Sequence, residues 1–296
     1  MDIIKQYYIN RIKKYNKIIN TLRNYKKKQL LKEKNNRFTK LGDNIILDNI
    51  IGKGKTGTVY NGYFISDDKL LFAIKIANND KSTMTEINIL KKITKYTLNT
   101  NFPHFPVYYG YFKSMNTNNL MLLNELQDNN FKYFYTNISR DNPKLLFNSI
   151  CQNIISLIYY YNITKKYHRD SHSNNFLYYK IPSKGCFHYK IYNNDYYLEN
   201  LGYVFLIWDY QYSRNIKNSN IPVIKDYTRI LKSLIKLQNK HLSDFINDFS
   251  NILTRYKHKT GKKNLDNLNK RILLLLNIYI STFTTSPTCT IINNNI

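Results

Sequence analysis

A chain of 296 residues, 43% of them hydrophobic, reads as globular and can bury a sizeable core, as one two-lobed domain or two small ones. Its formal net charge of +26 suits phosphates, acidic proteins or anionic membrane surfaces, but Lys, Asn, Ile and Tyr are enriched together, as AT-biased coding gives, so the charge permits such partners without selecting one. Nothing predicts a transmembrane segment: the longest apolar run, Ile272 to Leu276 and Ile278 to Ile280, falls well short of the roughly 18 residues a spanning helix needs.

Residues 1–42 carry thirteen Lys or Arg against Asp2 and Glu33, which is +11 of the total. Ile4, Tyr8, Ile12, Tyr15, Ile19 and Leu22 step by three or four, predicting one apolar face of a helix. This basic amphipathic extension suits two roles: a solvated helix packed on the body of the domain, or an arm for nucleic acid or anionic membrane.

From Asp43 the period changes. Ile45 to Ile51 predicts a strand that runs into Gly52-Lys53-Gly54-Lys55-Thr56-Gly57-Thr58-Val59. Glycines at the first, third and sixth positions let backbone lie close over phosphates where a Cβ would collide. A dinucleotide fold would need a helix next, whereas Val59 to Ile65 predicts a second strand. Leu70 to Ile76 is an apolar strand interrupted by Lys75, a cation that needs an anionic partner there. Glu86, on the helix predicted over Thr85 to Ile93, is the candidate.

Two more strands, Val107 to Phe112 and Leu120 to Asn124, end at Glu125-Leu126-Gln127-Asp128, where apolar character stops. The predicted lobe boundary follows residue 125, giving an N-terminal lobe over 43–125 and a C-terminal lobe over 126–296. A long helix from Pro143 to Ile158 leads to Tyr167-His168-Arg169-Asp170-Ser171-His172-Ser173-Asn174-Asn175. Strands at Phe176 to Tyr179 and Tyr203 to Trp208 bracket a Tyr-rich insert over about 180–202, and Asp209 ends the second. Helices are predicted from Asp226, over Phe245 to Leu253 and over Arg271 to Tyr279.

Gly52, Gly54, Gly57, Lys75, Glu86, Asp170, Asn175 and Asp209 occur in the order and contexts that make residues 44–235 resemble the protein-kinase superfamily. Asn175 to Tyr178, His188 to Tyr192, Asp195 to Tyr203 and Ile207-Trp208-Asp209 resemble the divergent kinase-like proteins of large DNA viruses. The resemblance implies an α+β bilobal fold, with a small mainly β N-lobe carrying one helix and a larger mainly α C-lobe. It implies ATP and Mg²⁺ as cofactors and a protein as acceptor. The three glycines and Val59 would cover the nucleotide, Lys75 would meet its phosphates and Glu86 would hold Lys75. Asn124 would guard the back of the adenine pocket, with Glu125, Leu126 and Gln127 binding adenine. Asp170 would be the base, Asn175 and Asp209 metal ligands, His168 and Arg169 structural, and Asp226 the carboxylate steadying the loop.

The chain departs from the family in three places. Gln211 replaces the glycine of the metal-binding triplet. His172 stands where protein kinases usually place Lys, as in aminoglycoside-type and choline-type kinases. Only sixteen residues separate Asp209 from Asp226, with no Ala-Pro-Glu. The expected activity is ATP- and Mg²⁺-dependent Ser/Thr protein phosphorylation, with a small-molecule kinase or a pseudokinase scaffold as alternatives. Cys151, Cys186 and Cys289 are too dispersed for a metal knuckle, and their odd number predicts no disulfide framework. With no secretory signal after Met1, the expected location is an intracellular, reducing compartment, host cytoplasm or virion if viral.

Overall fold

The computed structural model describes residues 3–216, 221–234 and 240–285. Among them the chain divides into two units. The first is Tyr8–Leu98 with Pro106–Gln127; the second takes the described residues of Met1–Tyr7, Asn99–Phe105 and Asp128–Ile296. The first is mainly β with two helices and the second mainly α with short strand pairs, which is the α+β organisation the sequence predicts.

Helix α1 (Ile3–Leu22) is followed by β1 (Lys28–Gln29), β2 (Leu31–Lys34), β3 (Arg37–Leu41), β4 (Ile45–Gly54), β5 (Gly57–Phe64) and β6 (Asp67–Asn78). Helix α2 (Lys81–Thr100), β7 (Tyr108–Ser114) and β8 (Asn119–Asn124) complete the unit. These strands form one eight-stranded sheet among the described residues, in the order β1-β7-β8-β6-β5-β4-β3-β2. Its two outer strands are separated in the chain by Leu30 alone, so one short segment occupies both edges, and neither β7 nor β4 is left as the sheet's open edge.

Side chains alternate along β6, so Phe72, Ile74 and Ile76 take one face while Ala73, Lys75 and Ala77 take the other. The first set joins Tyr60, Phe64, Phe112, Met121 and Leu123 in a buried cluster that also contains Ile18 of α1, Leu31 of β2 and Leu41 of β3. Tyr15, Ile19 and Leu22 pack against it. Burying each such side chain is worth about 1.5–3 kcal/mol, so α1 is held as part of this unit. The helical extension expected over residues 1–42 is therefore corrected: it is helical over Ile3–Leu22, and residues 28–41 belong to the sheet. Charged outward residues on short edge strands hid the period-two signal of Leu31 and Leu41.

The second unit holds β9 (Asn129–Asn130), α3 (Phe131–Asn137), α4 (Pro143–Thr164), β10 (Lys166–Tyr167), β11 (Phe176–Lys180), β12 (Cys186–Ile191), β13 (Asn194–Glu199), β14 (Tyr203–Ile207) and β15 (Arg214–Asn215). Helices α5 (Ile221–Leu234), α6 (Lys240–Tyr256) and α7 (Lys262–Tyr279) and strand β16 (Phe283–Thr284) follow. Asn142 caps α4 by accepting the Leu145 N–H, Pro143 opens it, and Lys165 closes it with a left-handed φ of 59°. Apolar residues surround α4, which buries nearly its whole length from Leu146 to Thr164. The Tyr-rich insert is the antiparallel hairpin β12–β13, joined by β16. Cys151 is a buried free thiol, whereas Cys186 takes part in a disulfide. Cys289 lies outside the described residues. No helix among the described residues is long and apolar enough to cross a membrane.

Candidate active site

In the first unit the glycine segment is a hairpin whose strands run through the glycines: Gly52 pairs with Val59, and Gly54 with Gly57. The three glycines differ in why they are glycine. A Cβ on Gly57, at φ 157°, would lie 2.4 Å from the Ile76 carbonyl oxygen, so packing demands glycine there. At Gly52 the nearest atom to a Cβ would be 3.6 Å away, and at Gly54 3.9 Å, both ordinary contacts. Packing leaves these two unexplained, whereas a ligand's phosphates approaching the backbone would account for them.

Val59 is the cross-strand partner of Lys75. Lys75 is 3% exposed, and its Nζ donates to both carboxylate oxygens of Glu86, at 3.1 and 2.9 Å. Helix α2 delivers Glu86 because Asp80 caps its first turn, accepting the Thr83 N–H at 2.8 Å, and because Thr83, Glu86, Ile87, Leu90, Ile93 and Thr97 share its buried face. The Thr83 amide bond is the main reason the Asp80 carboxyl lies below its ordinary range.

At the end of β8, Asn124 is fully buried and spends its amide nitrogen on the Leu122 carbonyl at 3.2 Å, leaving its Oδ1 buried without a partner. Gln127 Nε2 is also buried and unpartnered. Between them Leu126 is half-buried, and Glu125 is committed: its N–H donates to Val107 O at 2.8 Å. Of the Glu125 backbone, only the carbonyl is free of that bond for a ligand.

In the second unit, Asp226 on α5 organises the loop after β10. Its carboxylate accepts the His168 N–H at 2.7 Å, the Arg169 N–H at 2.8 Å and the Ser171 hydroxyl at 3.1 Å. Burial raises its pKa to about 6, against the pull of those hydrogen bonds. Arg169 has a left-handed φ of 74° and stays there because both its peptide groups are held, the N–H by Asp226 and the carbonyl by the Arg229 guanidinium.

His168 is fully buried and neutral, its pKa lowered to about 4 by desolvation. Its Nε2 donates to Trp208 O at 2.8 Å, and its Nδ1 accepts the Asp170 N–H at 3.3 Å. One imidazole thus ties the Asp170 backbone to the end of β14. Asn175 reinforces the tie: its Nδ2 donates to Asp170 O at 2.8 Å and Oδ2 at 3.2 Å, while its carbonyl accepts the Trp208 N–H at 2.8 Å. The next residue, Asp209, is half-buried at a left-handed φ of 60°. His172 Nδ1 accepts the Asn174 N–H, and its Nε2 lies 3.5 Å from Asp170 Oδ2. This contact is the largest reason the Asp170 carboxyl lies below its ordinary range.

The structure therefore brings Asp170, His172, Asn175 and the peptide before Asp209 into one assembly, and Lys75, Glu86 and Val59 into another. Gln211 is buried and has no positive φ, so the backbone freedom of a glycine is not needed at that position; the left-handed turn falls on Asp209. Tyr210 stacks on Tyr160 of α4, centroids 5.4 Å apart. Sequence reasoning missed Arg11, on the buried side of α1, whose guanidinium pairs with Glu125; its signal was its place between Tyr8 and Tyr15, three and four residues away. Among the described residues no group of three or more His, Cys, Asp or Glu could hold a metal, so a divalent ion would need ligands beyond such side chains.

No protein-family model and no curated protein matches the chain. Among solved structures, it is similar to the kinase domain of PF14_0431, at 18% identity and a TM-score of 0.45, over 71% of this chain and 64% of that one. It is also similar to the CAK complex of Chaetomium thermophilum bound to ATP-gamma-S, at 16% identity and a TM-score of 0.41, over 59% of this chain and 49% of that one. The chain thus spans less than two thirds of either neighbour.

Proposed function

We propose that the chain is a phosphotransferase that moves the γ-phosphoryl of ATP to a hydroxyl group, with Asp170 as the base. The observation that carries this reading is the assembly around Asp170: Asp226 fixes the loop through the His168 and Arg169 amides, while Asn175 and the Trp208 peptide tie it to the residue before Asp209. The acceptor oxygen would attack the γ-phosphorus, the bond to the bridging oxygen would break with ADP leaving, and the acceptor proton would pass to Asp170. The low pKa of Asp170 keeps it ionised for that role.

The oxygen donors suit a hard divalent ion. With its nitrogen spent on Asp170, Asn175 has only its amide oxygen left for a cation, and Asp209 adds a carboxylate. Mg²⁺ held by these two residues would neutralise phosphate charge. Lys75, its ammonium fixed by Glu86, would pair with the α- and β-phosphates. Gly52, Gly54 and Gly57 would cover the phosphates, while Val59, Asn124, Leu126, Gln127 and the Glu125 carbonyl would line the base.

For the acceptor, the reading favoured by the resemblance is a Ser or Thr hydroxyl of a protein. The His172 contact with Asp170 supports a second, a small-molecule hydroxyl, because a His rather than a Lys then lies beside the base. Radiolabelled ATP and Mg²⁺ with protein and small hydroxyl acceptors test both. Label transfer by the wild type that is lost in Asp170→Asn is expected; equal transfer by the two proteins removes Asp170 as base. Label found only in a small soluble product selects the second reading.

A further inference from the structure

The N-terminal helix reaches the segment that follows β8 through one buried ion pair. Arg11 Nε donates to Glu125 Oε1 at 2.7 Å and its Nη2 to Oε2 at 2.5 Å, with the two residues 7% and 5% exposed. The Glu125 carboxylate also accepts the Val107 N–H at 2.9 Å, while the Glu125 N–H donates to Val107 O at 2.8 Å. Glu125 is thus fixed from two sides, by strand-like bonds to Val107 and by a planar fork from α1. The fork cannot drift, because the helix is anchored one turn before it by buried Tyr8 and two turns after it by Ile18 in the sheet core. On either side of this fixed residue lie polar atoms buried without partners, Asn124 Oδ1 and Gln127 Nε2. A segment clamped at its centre, with unpaired hydrogen-bonding groups on both flanks, is a preorganised ligand edge.

We infer that Arg11 is a positioning residue: its bidentate pair with Glu125 sets the conformation of Glu125–Gln127, so that the seating of α1 governs how tightly the chain holds the base of a nucleotide. The affinity half of this inference rests on the reading of Asn124 to Gln127 as the base-binding edge; the clamp itself does not. A partner or modification that lifted α1 would release the segment without touching any phosphate-binding or proton-accepting residue. Arginine suits this position because its planar guanidinium meets the two carboxylate oxygens with two separate N–H donors in a fixed fork, whereas a lysine ammonium is a single point of charge on a flexible stem.

The test compares the wild type with Arg11→Met and Arg11→Lys. Amide hydrogen exchange is followed at Val107 and Glu125, with Ile87 to Ile93 of α2 as control, and Mg-ATP affinity is measured by calorimetry. Arg11→Met is expected to exchange about tenfold faster at Val107 and Glu125 with α2 unchanged, and to bind Mg-ATP about tenfold more weakly; Arg11→Lys falls between. If Arg11→Met does not fold, Arg11→Lys carries the comparison. Unchanged exchange at Val107 and Glu125 overturns the clamp, and faster exchange with unchanged affinity overturns its role in binding. Absence of Mg-ATP binding by the wild type removes the nucleotide reading and the affinity half of the inference, while the exchange comparison still decides whether Arg11 fixes the segment.

Discussion

Replacing His168 by Gln should change how stability depends on pH, because His168 and Asp226, both fully buried, titrate in opposition. The folded His168 has a pKa of about 4 against an ordinary 6.5, so its neutral form stabilises the fold above pH 6.5 and that contribution is lost as pH falls toward 4. From pH 7 to 5 the loss is about 2 kcal/mol. Asp226 is shifted the other way, from 3.8 to about 6, so folding takes up a proton between those values and stability rises as pH falls through them. Over the same interval its gain is about 1 kcal/mol. The wild type should therefore lose little on acidification, because the two effects largely offset. The variant keeps an amide donor for the Trp208 carbonyl but loses the titrating ring, so it should gain relative to the wild type. Urea unfolding of both proteins at pH 7, 6 and 5 isolates the imidazole, since every other titrating group is common to the pair. The wild type is expected to lose about 2 kcal/mol relative to His168→Gln between pH 7 and 5. A difference that stays constant with pH would mean the ring titrates alike in folded and unfolded chains, and would refute its assignment as a buried neutral bridge.

Asp226→Asn offers one oxygen where the His168 and Arg169 amides both need an acceptor; leaving one N–H unpaired should cost about 1–3 kcal/mol in a urea melt, and the stability gain below pH 6 should disappear. Lys75→Met should destabilise by about 3–5 kcal/mol by removing the cation from fully buried Glu86, while Lys75→Met with Glu86→Gln should recover much of that in the same assay. The glycines separate folding from binding: Gly57→Ala forces a Cβ against the Ile76 carbonyl and should cost about 1–3 kcal/mol, whereas Gly52→Ala should leave thermal stability within about 0.5 kcal/mol. If Gly52 is kept open for phosphates, its Ala variant should nevertheless lose the upward thermal shift with Mg-ATP; a retained shift would return Gly52 to an ordinary hairpin position.

The strands from Ile45 to Phe64, the Lys75 strand and the α2, α4 and α5 helices were legible because their apolar residues repeat with the periods of the elements they form. Residues 28–41 were not: their strands are two to five residues long, and Lys28, Lys32, Lys34 and Lys40 mask the few positions that turn inward. The α1 stripe was found but displaced. Tyr8, Tyr15, Ile19 and Leu22 of the predicted stripe turn inward, yet Ile18, off that stripe, is fully buried, and so nearly is Arg11, which a hydrophobic count scores as surface because it is charged. The partner was out of reach for the same reason, because nothing local in the sequence connects residues 11 and 125.

The same limit explains what could be known of the Asp170 loop. Its residue types announce a proton acceptor and an amide with an oxygen to spare, but not what holds them. Two residues of this unit adopt left-handed backbone beside the candidate chemistry, Arg169 and Asp209, at about 1–3 kcal/mol each. Arginine is not favoured there, whereas aspartate is among the side chains that tolerate it; both are also held from a distance. Arg169 is held by α5, through Asp226 and Arg229, and Trp208, the residue before Asp209, is held by His168 at its carbonyl and by Asn175 at its N–H. Because His168 also supports the Asp170 amide, the backbones on the two sides of the candidate centre share one neutral imidazole. A charge on that ring would leave Nδ1 unable to accept the Asp170 N–H, so the tie to Asp170 would be lost while the Nε2 bond to the Trp208 carbonyl remained. Burial of His168 therefore does more than remove apolar surface from water: by keeping the ring neutral it couples the position of the candidate base to that of the candidate metal ligand.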